Sequence, residues 1–258
     1  MEGKNSFRCI VGNYKTRVIV KGKGKEVLLI HGLGGSANSW INTINFLSKD
    51  FKVIAPDLLG FGYSDKPNID YTIEDYVNFL FELFKTLELK KASLVGSSLG
   101  GQIASWFTIE YPSLVEKLVL VCSAGISLEN TEALKKYTKE DYSFEGIKER
   151  LKACVKDESL IKDEMVQDFL NFSKLKGFKR AFKRALISSF KKERLKLDKI
   201  NCPTLIVWGK EDNLIPVKYA YEFHKGIKNS KLVILNCGHL PYLEEAKTFN
   251  NILRDFLI

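Results

Sequence analysis

The sequence predicts a doubly wound α/β fold: a mostly parallel sheet with a helical cap inserted into it. Three observations carry this. Short apolar runs alternate with longer helical patterns along most of the 258 residues. Several of these runs are continuous Val/Ile/Leu without polar alternation, the pattern of strands covered on both faces. The alternation breaks once, between Ser123 and about Ile200, where the sequence is helical and strongly charged.

The elements follow in order. Strand-like runs fall at 18–20, 27–30, 53–55, 94–95, 118–121, 205–207 and 232–235. A capping-box pattern, Thr72-Ile73-Glu74-Asp75, opens a helix with Tyr76, Phe79, Leu80, Leu83 and Leu87 on one face. Another helix spans 102–111 and stops before Pro112. A last helix spans 241–257 and turns Phe249, Ile252, Leu253 and Phe256 inward. Residues 1–122 and 200–258 are thus expected to form the core, and 123–199 a cap over the carboxyl ends of the strands. Open α/β sheets bind their ligands at that edge.

Hydrophobic residues make up 45% of the chain and charged residues 28%, enough for a sizeable core that needs no staples. The five cysteines (9, 122, 154, 202 and 237) include no CxxC pair. The three histidines are scattered without an HxxxH pair. No metal or cofactor is therefore expected, and the thiols read as reduced. The amino terminus, MEGKNSFRCIVGNYK, has no apolar h-region, and no apolar run approaches the roughly 18 to 20 residues of a membrane span. A cytoplasmic protein without a transmembrane segment is expected.

The net charge of +9 raises nucleic acid as a partner. The distribution argues against it. Residues 178–199 hold nine Lys/Arg against two Asp/Glu, and Phe178, Phe182, Leu186 and Phe190 repeat every four positions. This is a basic amphipathic helix, without the interleaved exposed aromatics of a nucleic-acid surface. The ordinary reading is a cap helix with its apolar face over a pocket. The sharper readings are attraction of an anionic substrate, docking of an acidic acyl carrier or coenzyme A ester, and contact with an anionic lipid surface.

The stretch Gly96-Ser97-Ser98-Leu99-Gly100 fits G-x-S-x-G with Ser98 central. Ser97 does not fit, because Val95 stands two residues before it. A strand precedes the motif and a helix follows it. A nucleophile at so sharp a turn needs small neighbours at −2 and +2, and the Leu99 N–H then opens the helix, where it can bind an oxyanion. A nucleophilic serine needs a base, and the base an orienting acid. His239 follows the last strand in Asn236-Cys237-Gly238-His239-Leu240-Pro241 and is the best base. His224 lies within a helix on a solvated face, and His31 opens the His31-Gly32-Leu33-Gly34-Gly35 turn. Asp212 follows the 205–207 strand and is the preferred acid over its neighbour Glu211. Asp57 also ends a strand and reads as a loop organiser. The order Ser98, Asp212, His239 is the one this architecture uses.

These motifs together strongly resemble the α/β-hydrolase superfamily, in its capped serine-hydrolase branch. The resemblance rests on His31-Gly32-Leu33-Gly34-Gly35 with Trp40 downstream, and on Pro56-Asp57-Leu58-Leu59-Gly60-Phe61-Gly62-Tyr63-Ser64. The Ser98 turn, Trp208-Gly209-Lys210-Glu211-Asp212 and Gly238-His239 complete it. It implies the Leu33 backbone N–H as second oxyanion donor, with Gly34 as fallback. In some members the acid follows the sixth strand, where this chain has Val121-Cys122-Ser123-Ala124-Gly125 and no carboxylate. It further implies a serine nucleophile rather than the aspartate of dehalogenases and epoxide hydrolases.

The expected enzyme is therefore a serine hydrolase cleaving a small-molecule carboxylic ester through an acyl-enzyme. Carbon–carbon bond hydrolysis of a vinylogous diketone is the alternative. That branch often carries Trp after the catalytic His, where this chain has Leu240, and the departure favours the ester. Hydrolysis of a carrier- or coenzyme A-linked ester shares the same triad. The non-enzyme alternative is a ligand-sensing receptor on a hydrolase scaffold.

Overall fold

The computed structural model describes residues 6–126, 129–191 and 193–258. Among these residues eight strands form one sheet: β1 (Ser6–Val11), β2 (Tyr14–Lys21), β3 (Glu26–Ile30), β4 (Lys52–Pro56), β5 (Ala92–Ser97), β6 (Val115–Val121), β7 (Thr204–Gly209) and β8 (Ser230–Leu235). Their order is β1-β2-β4-β3-β5-β6-β7-β8. The β1–β2 and β2–β4 pairs are antiparallel and all others parallel. β1 has no counterpart among the predicted runs. It is an edge strand with several exposed residues, so it lacks an apolar run. Its signal is the two-residue Gly12-Asn13 turn, with Gly12 at φ +58°, which pairs Val11 with Tyr14.

Among the described residues ten α-helices accompany the sheet: α1 (Ile41–Leu47), α2 (Ile73–Thr86), α3 (Leu99–Glu110), α4 (Glu132–Thr138), α5 (Phe144–Lys152), α6 (Asp163–Ser173), α7 (Phe178–Lys191), α8 (Lys218–Gly226), α9 (Pro241–Glu244) and α10 (Ala246–Leu257). Successive strand residues point to opposite faces. Val27 and Leu29 join one buried cluster with Ile44 and Leu47 of α1 and Phe249, Leu253 and Leu257 of α10. Leu28 and Ile30 join the other, with α2, α3 and α8. Both faces are covered, which is why these strands carry no polar alternation. The α2 capping box forms as predicted, with Thr72 and Asp75 each accepting the other's backbone N–H. The last helix is broken at Glu245 (φ −117°, ψ 39°) into α9 and α10.

Between β6 and β7 the described residues contain α4 to α7 and no strand. Their apolar faces (Ile147, Val166, Phe169, Phe172, Phe178, Ala181, Phe182 and Ala185) belong to the same cluster as the α2 and α3 faces. Arg180 donates to the carbonyls of Lys66 and Pro67, and Arg184 to Asn68 Oδ1 and the Ile69 carbonyl. The arginines of the basic helix thus hold α7 to the 66–70 loop. Lys192, counted in the basic stretch, lies outside the described residues.

Candidate active site

The carboxyl ends of β3, β5 and β8 bring Leu33, Ser98, Leu99 and His239 to the border of one cavity of about 620 Å³, and the loop after β7 sets Asp212 against His239. Ser98 sits between β5 and α3 at φ 55°, ψ −120°, a conformation most L residues avoid. A Cβ at Gly96 would overlap the Gly100 carbonyl, and one at Gly100 would overlap the Ile30 and His31 carbonyls. The two glycines therefore let the helix close onto the strands and hold Ser98 at the apex. Ser98 N–H donates to the Val121 carbonyl (3.0 Å), and Gly101 and Ala124 N–H groups donate to the Ser98 carbonyl (3.0 Å each).

Leu99 is the first residue of α3, so its N–H has no partner within the helix. The loop after β3 passes directly beside Ser98, since a Cβ at Gly32 would lie 3.1 Å from Ser98 Cβ. Leu33 and Gly34 both line the cavity.

Asp212, in the loop after β7, is buried. Its Oδ1 accepts the Leu214 and Ile215 N–H groups (2.9 Å each). Its Oδ2 lies 2.7 Å from His239 Nδ1. A carboxylate only accepts, so Nδ1 carries the proton and Nε2 is left for another partner. Glu211 is exposed and pairs with Lys156 (2.6 Å), away from His239. Cys122 occupies the place after β6 where no carboxylate stands. Its sulfur lies within 4.8 Å of the donor atoms of Asp212 and His239. This trio does not suit a cation. Asp212 spends both oxygens on N–H donors, and burial, aided by the Asp212 charge, pushes the Cys122 thiol well up so that it stays protonated.

The other two histidines are elsewhere. His224 is exposed on α8 and contacts Ser230. His31 is buried, its Nε2 accepting Leu58 N–H (2.9 Å) and its Nδ1 donating to the Gly32 carbonyl (2.8 Å). Asp57 accepts the Ala37 and Tyr63 N–H groups (2.7 Å each) and pairs with Arg17 (3.3 Å), which gathers the loops after β3 and β4. Trp40 packs on Tyr242 and Phe249 in the core, not on the cavity. Of the α7 stripe, Leu186 and Phe190 line the cavity, whereas Phe178 and Phe182 are packed beneath its wall.

Several residues around the site carry no local sequence signal. Tyr137 of α4 lines the cavity and donates its hydroxyl to the Leu33 carbonyl. Asp168 of α6 accepts from Asn38 (2.8 Å) and from the Tyr63 hydroxyl (3.2 Å). Arg150 is buried and donates to the Lys139 carbonyl. Its guanidinium lies 4.9–5.8 Å from the ring centres of Tyr137, Tyr142, Phe169 and Phe182. The Tyr137 and Asp168 hydrogen bonds join residues more than a hundred positions apart, so no spacing announces them.

The chain matches the α/β hydrolase fold family over residues 25–246 and belongs to it. It is a hydrolase by that kinship. It is 34% identical over 256 residues to a 2-hydroxy-6-oxo-6-(2'-aminophenyl)hexa-2,4-dienoic acid hydrolase of Metapseudomonas resinovorans, covering 95% of this chain and 88% of that one. It is 30% identical over 260 residues to a 2-hydroxy-6-oxo-2,4-heptadienoate hydrolase of Pseudomonas putida, covering 96% and 94%. A meta-cleavage product hydrolase from Pseudomonas fluorescens superposes with a TM-score of 0.90 at 29% identity, covering 97% and 96%. No helix among the described residues is long and apolar enough to cross a membrane.

Proposed function

We propose that this protein hydrolyses a carbon–carbon bond beside a carbonyl, in a small vinylogous diketone, through a Ser98–His239–Asp212 triad. The observation that carries the chemistry is the Asp212–His239 contact of 2.7 Å, on a histidine that shares its cavity with the strained Ser98. The relatives support this bond type: two are named as hydrolases of 2-hydroxy-6-oxo-dienoic acids and a third as a meta-cleavage product hydrolase. They outweigh the sequence preference for an ester, which asks least of the pocket and is aided by Leu240 in place of Trp.

In this reading Asp212 fixes the tautomer of His239, and Nε2 takes the Ser98 proton as Oγ attacks the carbonyl carbon. The Leu33 and Leu99 N–H groups hold the oxyanion, each worth about 3 kcal/mol. The carbon–carbon bond then breaks. Its electron pair leaves as a conjugated enolate, which the His239 imidazolium protonates. Water, deprotonated by His239, releases the acyl group as a carboxylic acid and returns the proton to Ser98. Residues 123–199 act as the cap that roofs the cavity and excludes bulk water. The five free cysteines suit the reducing cytoplasm.

Ester hydrolysis is the second reading. Leu240 borders the cavity beside His239, and Leu134, Leu151, Phe169 and Phe172 make much of the wall apolar, which accepts a simple acyl chain. An acidic carrier finds no support in the relatives, and Arg180 and Arg184 are already engaged with the 66–70 loop.

The test sets oxo-dienoate ring-cleavage products, followed by loss of their absorbance, beside p-nitrophenyl esters from acetate to laurate. Wild type and Ser98→Ala are run together. Diene cleavage with kcat/KM at least tenfold above the best ester, lost in the variant, is expected. Ester turnover alone would favour the second reading. Turnover near the variant's background on both, with ligand-dependent melting, would favour a sensor.

A further inference from the structure

We propose that Glu244 is a positioning residue for His239, and that it makes the segment 154–157 of the insertion part of the acid–base apparatus. The proposal rests on the triad reading above. His239 lies beyond the end of β8, outside the ladder that fixes the sheet. Something else must hold it to the few tenths of an ångström that proton transfer needs.

The structure shows what does. His239 N–H donates to the Cys154 carbonyl at 2.7 Å. One residue earlier, Gly238 N–H donates to Glu244 Oε1 at 2.8 Å. The other oxygen, Oε2, accepts Lys156 N–H at 2.8 Å and Asp157 N–H at 3.3 Å. One carboxylate therefore gathers three backbone donors, two from the insertion and one from the residue before the base. Three N–H groups on one anion form charge-assisted bonds, stronger than neutral ones. The two chain segments touch backbone to backbone. A Cβ at Gly238 would lie 2.8 Å from Lys156 N and 2.9 Å from the Cys154 carbonyl oxygen. Lys156 extends the contact, reaching Asn236 (3.0 Å) and Glu211 (2.6 Å), the residue before Asp212.

The arrangement has a directional logic. A carboxylate accepts on both oxygens, whereas an amide accepts on one and donates on the other. Glu244→Gln must therefore face at least one backbone N–H with its own N–H₂ group. The segment 154–157 is tied to the base directly, through the Cys154 carbonyl, and through Glu244, whose carboxylate links Lys156 and Asp157 to Gly238.

The experiment compares wild type, Glu244→Gln and Lys148→Met with a p-nitrophenyl ester under burst conditions, so that kcat is expressed per titrated active site. Glu244→Gln is expected to lower kcat per site by about 10- to 100-fold, with KM within about twofold. Lys148→Met removes an exposed ion pair with Asp163 (2.9 Å) elsewhere in the insertion, so it is expected to stay within about twofold of wild type. A purely structural Glu244 would lower the melting temperature and the number of titratable sites, with kcat per site unchanged. That result overturns the proposal. Should Glu244→Gln fail to fold, or should no ester be turned over, amide exchange in the wild-type protein decides. Gly238, His239, Lys156 and Asp157 are expected to open as one unit, and exchange of Lys156 and Asp157 independent of Gly238 and His239 overturns the proposal. Loss of the burst in Ser98→Ala tests the triad separately, so failure of one reading is distinguishable from failure of the other.

Discussion

His31 shows how a single buried ring organises the site without joining the chemistry. Both of its nitrogens are used inside the fold, one accepting from Leu58 and one donating to Gly32, so the neutral tautomer is the one that fits. Burial pulls its pKa below the ordinary 6.5, against a smaller opposing effect of the Asp57 charge. The sign of the consequence follows. Below that ordinary value the unfolded chain takes up a proton that the folded His31 refuses. The unfolded state then binds more protons, so stability is complete above that value and falls as pH drops towards the lowered native pKa. The loss is bounded by about 1.4 kcal/mol per pH unit in that window. Denaturant midpoints measured at closely spaced pH values from 7.5 to 5.5 read it directly, at constant slope. His31→Gln is expected to be less stable overall but to show a flatter pH dependence. An equal slope in both proteins would assign the loss to other groups.

At the scale of elements, what was legible followed local rules. The parallel strands announced themselves as continuous apolar runs because both faces are covered, and the Ser98 turn because Gly96 and Gly100 have no room for a side chain. β1 was not legible as an apolar run, since an edge strand has little to bury. The break at Glu245 was not legible either, because the apolar spacing continues across it. Of the candidate site, Ser98, Asp212 and His239 follow strands and could be named. Tyr137, Cys154, Asp168 and Glu244 could not, because their contacts span 85 to 130 positions or lie on the backbone. The basic stripe of α7 admitted two readings, and Leu186 and Phe190 line the cavity as the ordinary cap-helix reading expected. Its charge suggested a docking face, yet Arg180 and Arg184 serve the carbonyls of 66–70. Replacing both by alanine is expected to cost about 1 to 2 kcal/mol, since the contacts are partly exposed. The clearer readout is trypsin cleavage within 174–199, which is expected to accelerate several-fold. Unchanged cleavage would mean that apolar packing alone seats the helix.

For the whole molecule the question is whether the insertion is an independent unit. Its buried residues do not form a core of their own. Ile147, Val166, Phe169 and Phe178 share one continuous cluster with Leu28, Ile30, Leu94 and Leu118 of the sheet. Polar ties add to this, among them Asp168 with Asn38, Tyr137 with Leu33, Glu244 with 156–157, and Arg180 and Arg184 with 66–70. A segment whose apolar face is completed only by the sheet cannot repay its ordering entropy alone. The excised segment 129–191 is therefore expected to lack stable helix in circular dichroism, despite holding four helices in the fold. The intact chain is expected to melt in one calorimetric transition. Its enthalpy should be about 180 kcal/mol near 60 °C, from about 0.7 kcal/mol per residue over 258 residues. The van't Hoff enthalpy should agree with the calorimetric one. Two resolved transitions, the smaller abolished by Glu244→Gln or by the paired arginine substitutions, would show a cap that opens as a body of its own. A single transition would mean that the cavity roof is as stable as the sheet, and that substrate enters through local opening at its rim.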